Sequence, residues 1–172
     1  MATEDDASHP KWRYFLSELT DAVNAFETVA QTKDWQDLIG CLTALARVFA
    51  RHSFSSVPPA ARTTLCKRLA QCLHRQLPAG VHLKALEVYD IVLQRVGARG
   101  LARDLSLFSL GLFPLLATAS MRVRPILLDL FERHFMPLGP LLVPALSGFI
   151  VALLPGTFLI LCQSISFSAR DF

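Results

Sequence analysis

The chain has 172 residues, 52% of them hydrophobic, with a mean hydropathy of +0.40 and a net charge of +3 at pH 7. That length and apolar content suit one domain with a continuous core. The acidic, polar start MATEDDASHP has no basic stretch followed by an apolar one, which excludes a secretory signal. The four cysteines, Cys41, Cys66, Cys72 and Cys162, sit in apolar helical patterns, which speaks against a disulfide framework and for reduced thiols in a core.

Residues 1–10 read as a disordered acidic N-terminus. A first helix starts near Pro10, with Trp12, Phe15, Leu16, Leu19, Val23, Phe26 and Ala30 on its buried face. A second follows Thr32 as N-cap, with Asp34 in its first turn, and buries Trp35, Leu38, Ile39, Leu42, Ala46 and Phe49. Residues 52–59, HSFSSVPP, read as a surface loop.

Two amphipathic helices come next, over about 60–77 and 81–97. The first carries Leu65, Leu69, Cys72 and Leu73 as one stripe; the second carries Ala85, Leu86, Tyr89, Val92, Leu93 and Val96. Pro78 and Gly80 separate them, and Gly97 ends the second. A connection of about three residues predicts an antiparallel, adjacent pair. LARDLSLFSLGLFPLLATAS then gives a more uniformly apolar helix interrupted or kinked at Pro114. A sixth helix runs from about 125 to 135 and a seventh from about 141 to 154. No period-2 run is present, so no sheet is expected. Alternate helices begin every 40 to 50 residues or so, the spacing of HEAT or armadillo pairs. The predicted fold is therefore all-α, an irregular HEAT/armadillo-like α-solenoid of about seven helices, with a closed helical bundle as the alternative.

The charge is unevenly distributed: residues 1–50 carry −4, residues 51–128 carry +8 and residues 129–172 carry −1. Lys67, Arg68, Arg75, Lys84, Arg95, Arg99 and Arg103 form a basic block, either an ordinary solvated face or a contact for an acidic partner or anionic lipid. Interleaved aromatics and recognition-helix, RNP or zinc-finger signatures are missing from it, so nucleic acid is not expected. Cys66, Cys72, His74 and His82 follow the spacing C-x5-C-x-H-x7-H, which matches no usual structural zinc pattern, and no metal or other cofactor is expected. There is no G-x-S-x-G, Walker, G-x-G-x-x-G or H-E-x-x-H motif. Glu18, Asp21, Glu27, Asp34 and Asp37 are placed toward solvent. These readings predict no enzyme and no small-molecule substrate.

From His134 to Ala169 runs a stretch of 36 residues without Asp, Glu, Lys or Arg. Its length invites a membrane anchor over 134–169, but Pro137, Pro140, Pro144 and Pro155 divide it into pieces better suited to core helices.

The strings KRLAQCLH, LPAGVHLKALEVYD, GLFPLL, RPILLDLFERHFMPLG and FIVALLPG occur in that order from residue 67 to 156. They follow RYF, FE and KDWQDLIGCL in the first 42 residues. Over about residues 11–156 the chain thereby resembles the N-terminal domain of the Dopey family. After Gly156 the resemblance stops, and residues 157–172, TFLILCQSISFSARDF, read as a divergent apolar tail. The resemblance implies a non-catalytic scaffold or adaptor in protein transport between Golgi and endosomes, peripheral on the cytosolic face of those membranes. It implies protein partners from the trafficking machinery, among them a large protein related to Arf exchange factors and kinesin motors.

Overall fold

The computed structural model describes residues 10–29, 34–52, 57, 59–148 and 150. The expected acidic N-terminus up to residue 9, Ala30, Thr32, most of the 52–59 loop, the end of the seventh helix and the 157–172 tail lie outside the described residues. Among the described residues, α1 spans Pro10–Val29, α2 Trp35–Arg51, α3 Pro59–Gln71, α4 Ala79–Arg103, α5 Leu105–Thr118 and α6 Arg124–Leu130. A π-helical turn, Phe131–Phe135, and a 3-10 segment, Met136–Ala145, follow. No strand occurs among the described residues.

The helices alternate between two layers. α1 packs on α3 and α3 on α5; α2 packs on α4 and α4 on α6; α1 against α2 and α5 against α4 and α6 join the layers. That alternation gives an all-α, two-layered array. It corrects one expectation: α3 and α4 belong to different layers and do not run along each other. The connection between them is longer than the sequence suggests. Helix α3 ends at Gln71, and residues 72–77 turn through i to i−3 bonds, such as Leu77 N to His74 O at 2.9 Å. Seven residues leave α4 free to turn away and find α2.

The stripes explain most of the packing. Trp12, Phe15, Leu19, Val23 and Phe26 on α1 are buried at i, i+3, i+7, i+11 and i+14, as expected. On α2 the buried set is Cys41, Leu42, Leu45, Val48 and Phe49, whereas Trp35 is 50% exposed. The buried stripe starts later than the hydrophobic pattern predicts, because Trp35 is the first residue of the helix and has no neighbouring turn to pack under. The N-cap is Asp34, not Thr32: its side chain accepts from Gln36 N at 2.9 Å. Helix α4 buries Val81, His82 and Val88 besides Ala85, Leu86, Tyr89, Val92 and Leu93, because it is covered from several sides.

Gly97 breaks α4, as expected. It takes φ 66°, ψ 174°, a region essentially reserved for glycine, and a second helical run continues across this break to Arg103. Pro114 does not interrupt α5. Pro114 and Leu110, whose carbonyl loses its helical donor, both lie on the exposed side and not in the packed core. On the opposite side Gly111 lets α5 approach α3 closely; a Cβ there would stand 2.7 Å from Ala70 Cα. The seventh helix is corrected over its first part. Residues 136–145, with Pro137, Pro140 and Pro144, form short 3-10 runs broken at Gly139, φ 52° and ψ −121°, and α-helix begins only at 146.

Candidate functional site

The even-numbered layer carries an open groove of about 520 Å³ between α2, α4 and α6. Its floor is apolar. Leu83 and Leu86 come from α4, Ile39 from α2, and Ile126 and Leu130 from α6. Periodicity sets this arrangement: Ile126, Leu130 and Arg133 stand at i, i+4 and i+7, and Gly80, Leu83, Glu87 and Asp90 at i, i+3, i+7 and i+10, so two rows face one another. Gly80, in the first turn of α4, widens one end; a Cβ there would meet nothing within 4 Å.

The rim is charged but internally balanced. Lys84 Nζ donates to both oxygens of Glu87 at 2.9 Å. Asp90 accepts from Arg133 Nη1 at 3.0 and 3.1 Å and lies 2.6 Å from His134 Nε2, while Arg133 also pairs with Asp129. These bonds tie the π turn to α4 and leave the groove without a strong net field. An apolar floor with polar ends matches one face of an amphipathic helix.

The basic block is largely spent inside the molecule. Arg68 pairs with Glu27 of α1 and donates to Gln71 Oε1 at 3.2 Å. Arg95 Nη2 donates to Phe49 O at 3.0 Å, serving an open carbonyl in the last turn of α2. Arg103 shares Asp104 with Arg62, whose Nη1 donates to Asp104 Oδ2 at 2.6 Å. Lys84 belongs to the groove rim. Lys67, Arg75 and Arg99 are exposed without an ion pair among the described residues. The structure thus divides the seven predicted contacts, four committed to internal partners and three available to solvent.

Other polar groups also have structural work. His82 is buried, and its Nε2 donates to His74 O at 3.0 Å, holding the α3–α4 turn. Burial pushes the Cys66 and Cys72 thiols up to about 12, so neither is a thiolate at neutral pH. No group of His, Cys, Asp or Glu among the described residues is arranged to hold a metal ion. Glu18 is half-buried, not solvent-facing as expected: His52 Nε2 lies 2.8 Å and Arg51 Nη1 3.1 Å from its carboxylate. The His52 hydrogen bond holds that carboxyl below its ordinary range. No single described helix is long and apolar enough to cross a membrane; α4 and α5 reach that apolar length only together, across a bend of 110°.

A two-layer helical array with a groove, and with no metal-holding cluster among its described residues, could serve many families. The family model "Dopey, N-terminal" matches residues 9–157. The chain belongs to the Dopey family. It is 49% identical over 146 residues to mouse Protein DOP1B, covering 85% of this chain and 6% of that protein. It is 44% identical over 146 residues to the Drosophila melanogaster Protein DOP1 homolog, covering 85% of this chain and 5% of that protein. Against Caenorhabditis elegans Protein pad-1 the identity is 41% over 163 residues, 94% of this chain and 6% of that protein. The chain therefore spans well under a tenth of the length of these Dopey relatives. No solved structure matches it.

Sequence reasoning missed the groove of this Dopey domain. A signal was available in α6, where RPILLDL offers more apolar positions than one stripe can bury. Leu127 and Leu130 enter the core, and Ile126 is left 43% exposed on the groove floor.

Proposed function

We propose that this Dopey domain is a non-catalytic adaptor in membrane traffic between Golgi and endosomes, holding an amphipathic helix of a protein partner in the groove across α2, α4 and α6. The observation that carries the reading is the apolar floor of Ile39, Leu83, Leu86, Ile126 and Leu130 between self-neutralised charges. Family membership supports the trafficking role. A large protein related to Arf exchange factors and a kinesin motor are the partner classes that the resemblance brings. Peripheral attachment to anionic lipid through Lys67, Arg75 and Arg99 is the second reading, favoured only by those three exposed charges.

Gly80→Trp separates the two. The indole enters open space in the groove and not the core, and loss of a glycine from a helix favours the fold. Fractionation of cells expressing the tagged chain is expected to show Golgi and endosome association reduced about thirtyfold by Gly80→Trp, the equivalent of one hot-spot contact of ~2 kcal/mol. The triple reversal Lys67→Glu, Arg75→Glu, Arg99→Glu leaves association in place. The opposite pattern assigns attachment to lipid and removes the adaptor reading.

A further inference from the structure

A second groove, of about 410 Å³, lies on the other layer, between α5 and the segment that follows Gly139. Leu110, Phe113 and Pro114 form one wall and Pro144, Ala145 and Gly148 the other. The odd-numbered layer runs α1, α3, α5, and α5 is its last described helix, so this groove lies where the layer has no further described neighbour. Leu110 is 57% exposed there, and Leu141, Val143, Leu146 and Ile150 nearby in the chain are also exposed.

We propose that this groove is the docking site of the chain's own residues 157–168, which close the outer face of α5. Three observations select this occupant. The groove is lined without a single charged residue, so burying a charged segment in it would leave charge without a partner. The sequence TFLILCQSISFS carries no charge and supplies Phe158, Leu159, Ile160, Leu161, Ile165 and Phe167. The chain also leaves from the groove itself, since Ser147 and Gly148 are part of its wall. The six residues 151–156 reach at most about 21 Å, and α5 is about 21 Å long, so the segment can return along the whole of α5.

Cys162 lies in the docking segment, and Cys41, Cys66 and Cys72 are buried, so the intact chain carries its own probe. Ser106→Cys and Ser109→Cys place a thiol in the groove, and Ser17→Cys places one on an exposed face of α1. Under mild oxidation of the 172-residue chain, intramolecular disulfides to Cys162 are expected at the groove positions at least about tenfold faster than at Ser17→Cys, because the segment is held beside them. Leu110→Lys should slow that crosslinking without entering the core. Equal rates at all three positions overturn the proposal. So do exclusively intermolecular disulfides, which would make a second copy the occupant, and loss of the crosslink with flotation of the chain when phosphatidylcholine vesicles are added, which would make lipid the destination of the segment.

Discussion

Asp104→Ala is expected to lower the stability of the domain by about 3–5 kcal/mol in urea denaturation, the cost of removing one partner from a buried ion pair. The side chains of Arg62 and Asp104 are 9% and 14% exposed, so the guanidinium left behind cannot recover its water. It is already under-provided, since Arg62 Nε has no hydrogen-bond partner. Arg103 also reaches Asp104, but its side chain is 55% exposed and contributes little. The pair joins the start of α3 to the junction of α4 and α5, where the chain bends by 110°, so its loss loosens the corner between the two layers. The double variant Arg62→Leu, Asp104→Ala should recover most of the loss, because it buries no charge. Additive losses would show that the pair acts only as two independent surface groups.

Phe135→Ala should cost a similar amount, about 3–5 kcal/mol, through lost burial and the cavity left behind. Phe135 is fully buried, with ring centroids 5.2 Å from Phe131 and 5.9 Å from Phe113. These three rings seat the π turn under α5, while Asp90 holds the same turn from α4 through Arg133 and His134. Phe135→Leu keeps most of the volume and is expected to lose less than about 1.5 kcal/mol. Thermal or urea unfolding of the two variants distinguishes a packing role from mere apolarity. If alanine and leucine behave alike, the aromatic cluster does not organise the turn.

Much of this architecture is legible in the amino-acid sequence because helical burial repeats every three to four residues. The stripes on α1, α3 and α4 are read correctly from Phe15, Leu69 and Tyr89. Trp35 misleads because hydrophobicity does not report position within a helix, and a first-turn residue has little to cover it. Pro114 misleads in another way. A proline is a strong local breaker, yet α5 runs through Pro114 with Leu110 on its exposed side, whereas Gly97 breaks α4 as its residue type predicts. The candidate site is the least legible part. A basic block counts charges along the chain, whereas the partners of Arg68, Arg95 and Arg103 come from folding, two of them from other helices. The groove assembles from three helices spread over residues 39–133, and no local pattern joins Ile39 to Ile126.

The central claim is that the α2–α4–α6 groove receives a protein segment. Its most direct measurement replaces Ile126 on the groove floor by a photoreactive amino acid in cells, with exposed Met121 as the control position. The expected result is a discrete protein adduct at Ile126, absent at Met121 and lost when Gly80→Trp fills the groove. Adducts of equal yield at both positions, adducts that survive Gly80→Trp, or adducts to lipid alone would contradict it.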